Sequence, residues 1–140
     1  MPFAKQNITL RSTVEDIPRL AEFVDSVSEA AGFDPAQIMS LNLALEEAVA
    51  NVMFYAYPEG EGTILVEAAP HEGGGVEFRI EDSGIAFDPT AAAEADTSLG
   101  VEERQIGGLG IHLVRQIMDS VEYRRSPEGK NILTLIKTNQ

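Results

Sequence analysis

The chain has 140 residues, which fits one domain, residues 1–140, with a core of its own. Its 23 acidic against 10 basic residues give a formal charge of −13, and no Lys/Arg cluster interrupts the excess, which disfavours nucleic-acid and anionic-membrane binding. The absence of cysteine excludes disulfides and thiolate metal sites, and His71 and His112, far apart, make a poor zinc site.

The N-terminal "MPFAKQNITLRSTVED" lacks an apolar run after a basic start, and no stretch approaches the roughly 18 apolar residues of a membrane span. A cytoplasmic protein is therefore expected. Residues 4–12 read as a strand, with Ile8 and Leu10 alternating against polar neighbours. Ser12 with Glu15, or Thr13 with Asp16, offers a capping box for a helix running to about Ala31, which Gly32 ends. In "DPAQ", Asp34 is the N-cap candidate, Pro35 the first helical residue and Gln37 the reciprocal partner. That predicts a second helix from Pro35 to about Tyr57, stopped by Pro58.

Two strands follow, "TILVEA" (63–68) and "VEFRIED" (76–82), joined by a hairpin at "HEGGG". Val76, Phe78 and Ile80 alternate with Glu77, Arg79 and Glu81, so one face of the sheet is apolar and the other charged. Small and acidic residues fill 89–105, a helix is expected from Leu109 to Met118, and "VEYRR" with "NILTLIK" closes the chain as a hairpin across "SPEGK". The order β-α-α-β-β-loop-α-β-β predicts an α+β two-layer sandwich, a mostly antiparallel sheet with helices on one face.

Three stretches carry chemistry. At about 100° per residue, Ile38, Leu41, Leu45, Ala48, Val49, Val52 and Ala56 form the core stripe of the second helix. Glu47 and Asn51 then fall on roughly the opposite side, stacked four apart among Leu43, Ala44, Phe54 and Tyr55. A carboxylate and an amide in apolar surroundings can supply a general base and a neutral metal ligand, although an ordinary i,i+4 surface pair reads the same way. In "IEDSGIAFDP" (80–89), Asp82 at a strand end can accept a hydrogen bond from an exocyclic amine, and Gly84 lets a flat ring approach the backbone; a plain turn is the simpler alternative. In "GGLGIHLVRQIMD" (107–119), glycines at a helix start permit a polyphosphate to lie against unpaired N–H groups, whereas a tight loop would use the same residues. The pattern is neither a P-loop nor a dinucleotide fingerprint.

In this order, Glu47 with Asn51, Asp82 with Gly84, and Gly107, Gly108 and Gly110 resemble the N, G1 and G2 boxes of the GHKL, or Bergerat-fold, ATP-binding superfamily. The likeness is closest to the stand-alone anti-sigma-factor serine/threonine kinases and covers nearly the whole chain. It implies Glu47 as general base, Asn51 as ligand of the Mg²⁺ on ATP, Asp82 as reader of the adenine amine with Gly84 shaping its pocket, and Gly107, Gly108, Leu109 and Gly110 along the phosphates under a lid. Glu46, about 100° around the helix from Glu47, is left for solvent or an indirect contact. Ala86 stands where many members have a second glycine, and Tyr55 where the anti-sigma kinases often have histidine; both border the expected pocket. Arg104 is the cation nearest the glycines.

The resemblance further implies a kinase that phosphorylates a small STAS-type anti-sigma-factor antagonist and sequesters a sigma factor, often as a homodimer. A nucleotide-dependent switch without chemistry is the alternative. His112 invites reading as a phosphoacceptor, but it sits within the expected ATP-site helix, and a sensor histidine kinase would need a separate dimerisation helix pair.

Overall fold

The computed structural model describes residues 3–90 and 110–139. Strand β1 (Gln6–Arg11) leads through a 3-10 turn (Val14–Asp16) into α1 (Ile17–Ala30) and α2 (Pro35–Asn51), which continues as one π-helical turn (Val52–Ala56). Strands β2 (Thr63–Pro70) and β3 (Val76–Asp82) follow, then helix α3 (Gly110–Ile117) and strands β4 (Ser120–Arg125) and β5 (Asn131–Lys137). The five strands form one sheet in the order β1-β2-β3-β5-β4, with every neighbouring pair antiparallel. The expected α+β sandwich is borne out.

Strand periodicity decides which side chains meet the helices. Val76, Phe78 and Ile80 are buried and share their face with Ile64 and Val66 of β2 and Leu133 and Leu135 of β5. Leu20, Val24 and Val27 of α1, and Leu41, Leu45, Ala48 and Val49 of α2, complete the core. Each buried Val, Leu, Ile or Phe side chain among them contributes about 1.5–3 kcal/mol by leaving water. Ile111 and Val114 of α3 and Met118 just after it fall at i, i+3 and i+7 and are buried.

The expected box at Asp34 forms: its Oδ1 accepts from Gln37 N at 2.8 Å, while its own N–H donates to Gln37 Oε1 at 3.0 Å. The expected box at the start of α1 does not. Thr13 makes no side-chain cap, and its hydroxyl donates instead to Glu15 Oε1. Asp16 is drawn away by a stronger attraction, accepting from Arg11 N and Arg11 Nη2, both at 2.8 Å, and from Arg19 Nη1 at 3.4 Å.

The second helix also departs from expectation. Regular α geometry ends at Asn51 rather than near Tyr57, and the following π turn closes with Tyr57 N donating to Val52 O at 3.1 Å. Such wide turns inside helices concentrate at functional sites. Asn51 is not opposite the core either: it is 2% exposed, and Ala44 is fully buried. The wheel places a residue by angle, but α2 packs against α1 and α3 as well as the sheet, so its buried arc is wider than one stripe.

Candidate functional site

The polar end of the core lies where the apolar alternation of β3 stops. Asp82 is the next core-facing position after Ile80, and parity aims it at the helix layer rather than at solvent. It is 4% exposed, and its register partner on β5 is Asn131, itself 5% exposed. Asp82 Oδ1 accepts from Gly84 N and from Asn131 Nδ2, each at 2.8 Å, while Oδ2 accepts nothing among the described residues. Burial pushes the carboxyl above its ordinary value, against the two hydrogen bonds and the Arg125 charge, which pull it down.

Asn131 is a hub that the sequence did not single out. Its Oδ1 accepts from Tyr123 Oη at 2.6 Å, Arg125 Nη1 at 3.1 Å and Phe87 N at 3.3 Å; its Nδ2 also donates to Ile85 O at 2.9 Å. The segment after β3 is thereby tied back to β5. Arg125 Nη1 adds a bond to Gly84 O at 3.0 Å.

Facing these groups across the cleft is Asn51. Among the described residues neither its Oδ1 nor its Nδ2, both buried, has a hydrogen-bond partner, an arrangement native structures seldom tolerate without a reason. Asn51, Asp82, Asn131, Tyr123 and Phe87 line one cleft whose remaining space, about 10 Å³, is that of about one water molecule. Glu47, one turn earlier on α2, is half-buried and makes no hydrogen bond or ion pair among the described residues.

The π turn serves as a socket for the loop that follows Asp82. Ala56 O accepts from Ile85 N at 2.9 Å, and a Cβ on Gly84 would lie 2.7 Å from the Ala56 carbonyl carbon. Gly84 is therefore crowded by Ala56. Tyr57, also unflagged by the sequence, donates its hydroxyl to Thr63 O at 2.9 Å and accepts from Ser83 N at 2.8 Å, linking the helix end to both strands. Tyr55 stacks on Phe87 with ring centroids 4.7 Å apart, and Ala86 between these loop contacts is exposed.

Of the expected site residues, Asn51, Asp82 and Gly84 are brought together, Glu47 and Tyr55 flank them on α2 and its π turn, and Gly110 opens α3. Arg104, Gly107, Gly108 and Leu109, with most of the acidic loop, lie outside the described residues. Among the described residues no group of three or more His, Asp or Glu could hold a metal ion. An Mg²⁺ that takes most of its oxygens from phosphates needs little from protein, and the orphaned amide of Asn51 fits such a place.

A helix layer thus covers an antiparallel sheet, with a buried Asn and a buried Asp converging at one end. Residues 10–137 match the histidine kinase-like ATPase domain, so the chain belongs to that family. It is 31% identical over 96 residues to the serine/threonine-protein kinase BtrW of Bordetella bronchiseptica, covering 69% of this chain and 67% of that one. It is 29% identical over 128 residues to the serine-protein kinase RsbW of Bacillus cereus, covering 84% and 79%. Among solved structures, the RsbU and RsbW domains of Rv1364c from Mycobacterium tuberculosis match with a TM-score of 0.67 at 19% identity, over 98% of this chain but a third (33%) of that longer one. The SiaB-SiaC complex of Pseudomonas aeruginosa matches with a TM-score of 0.60 at 16% identity, over 93% and 88%. No helix among the described residues is long and apolar enough to cross a membrane.

Proposed function

We propose that the chain is an ATP- and Mg²⁺-dependent serine/threonine protein kinase that phosphorylates a small STAS-type antagonist protein and, when free of it, sequesters a sigma factor. The observation that carries this reading is the buried, unsatisfied amide of Asn51 facing Asp82 in one cleft, one helical turn from the uncommitted carboxylate of Glu47. Kinship with kinases over most of the chain supports the reaction class.

In this reading Asp82 Oδ2 accepts the adenine amine, and Asn131 with Gly84 N holds the carboxylate in place for it. Entry of a purine requires Phe87 and Pro89 to draw back from the cleft they now fill. Asn51 Oδ1 would ligate Mg²⁺, which when bound supplies charge neutralisation to the triphosphate. Glu47 takes the proton from the acceptor serine or threonine hydroxyl as its oxygen attacks the γ-phosphorus, and the bond from that phosphorus to the β,γ-bridging oxygen breaks, releasing ADP. Gly107, Gly108, Leu109 and Gly110 flank the phosphates, Arg104 approaches from the lid, and Tyr55 and Ala86 border the pocket.

Incubation with labelled ATP, Mg²⁺ and the antagonist candidates encoded beside the gene tests the activity. Transfer is expected, and Glu47→Ala should abolish it while sparing ATP affinity. ATP binding without transfer to any of them would leave a nucleotide-dependent switch instead, as would partner control that survives Glu47→Ala unchanged.

A further inference from the structure

On another flank of α2 lies a second cavity, about 530 Å³, that shares no lining residue with the Asn51–Asp82 cleft. It opens between the 3-10 turn before α1 and the π turn after α2, and its size is that of a ligand-binding groove. Its floor is apolar, with Ile17, Ala50 and Met53. Two large apolar side chains, Val14 at 65% exposure and Phe54 at 50%, stand at its rim and face water at a cost that folding does not require.

Two polar features give the groove a chemistry. Ser12 is 7% exposed, lines the cavity, and its buried Oγ has no hydrogen-bond partner among the described residues. Glu46, the acidic neighbour of the proposed general base, is exposed and lines the same cavity, while among the described residues no Lys or Arg does. Exposed Glu15, Glu59 and Glu61 adjoin the lining residues Val14, Pro58 and Gly60 in the chain, against one exposed cation, Arg11 beside Ser12, which is already paired with Asp16. The groove is therefore apolar within, acidic around, and holds one unsatisfied hydroxyl.

We propose that this groove is the docking site for a short basic amphipathic helix of a partner protein. The apolar face of that helix seats on Val14, Met53 and Phe54, Ser12 Oγ takes a hydrogen bond, and a Lys or Arg on the helix meets Glu46. Helix-in-groove recognition uses such i, i+3, i+4 apolar anchors, and charge complementarity selects a basic partner from an acidic one. A second copy of this chain, itself acidic, fits the charge less well.

A labelled 14-residue peptide with leucines on one helical face and lysines on the other serves as probe, with a leucine/glutamate peptide as its counterpart. Fluorescence anisotropy on the full chain at physiological salt should show binding of the first and not the second. Phe54→Ser and Val14→Ser should each weaken it about tenfold and Glu46→Lys severalfold, as expected for rim anchors and a paired charge. Met39→Ser, an exposed apolar residue of α2 outside the groove, should leave it unchanged. Equal affinity in Phe54→Ser, Val14→Ser and the parent would reduce the attraction to unspecific charge and overturn the proposal. So would a parent dimer in sedimentation that Phe54→Ser converts to monomer, since the groove would then be an interface between copies.

Discussion

Asp16 and Asp82 are both buried carboxylates, at 1% and 4% exposure, yet the molecule holds them in opposite ways. At the corner between β1 and α1, Asp16 meets Arg11 and Arg19, and the Arg11 hydrogen bonds bring its pKa from 3.8 to about 2. At the end of β3, Asp82 meets neutral partners, the amide of Asn131 and the N–H of Gly84, and burial drives its pKa up. A paired carboxylate has spent its charge on its own fold. One supported by neutral donors keeps an oxygen and a charge for something else, and it sits beside Asn51, whose amide is also unspent.

The contrast is tested most severely by removing the charge at each place. Asp82→Asn should weaken ATP binding about 100-fold in calorimetry, the scale of losing a hydrogen bond to a charged acceptor, with no loss of thermal stability. Asp16→Asn should do the reverse, lowering Tm while ATP affinity stays as it was. Equal loss of nucleotide affinity in both would mean that the two carboxylates do not divide between fold and site.

A smaller effect is expected from Tyr57→Phe, which keeps the ring but strips the hydroxyl from Ser83 N and Thr63 O. A neutral hydrogen bond is worth about 1 kcal/mol, so ATP affinity should fall about fivefold. The preference for ATP over GTP should narrow as the turn carrying Asp82 loosens, a change that a purely structural tyrosine would not produce.

The smallest effect is one of pH, and its sign differs between the two sites. With its folded pKa depressed, Asp16 contributes stability that is fully present above 3.8 and lost as pH falls through about 2. Asp82, with its folded pKa raised, holds its proton more tightly when folded, so its contribution declines as pH rises through the window above 3.8. Denaturation followed from pH 6 to 2 should show acid lability that Asp16→Asn removes and Asp82→Asn does not.

Much of this frame was legible in the sequence because it is local. Period-two alternation placed β3, and the Asp34–Gln37 box and the proline at 35 placed the start of α2. The rest depends on partners far apart in the chain. Tyr57 is 26 residues from Ser83, and Asn131 is 49 from Asp82, so no motif spacing announces either. Arg11 took Asp16 from its expected capping role because strand and helix meet at a corner, which short-range pattern does not encode. Asn51 was chosen for its chemistry but set on the wrong face, since a wheel does not show how many neighbours a helix has.

The proposed role of the buried Asn51 amide is to hold a metal-bound nucleotide. Titration of ATP into Asn51→Leu, with and without Mg²⁺, tests it directly. Leucine removes the unpaired polar atoms at similar volume, so the variant should fold at least as stably as the parent, while the gain in ATP affinity that Mg²⁺ gives the parent should vanish. An unchanged Mg²⁺-dependent gain in a folded Asn51→Leu would mean that Asn51 does not hold the metal.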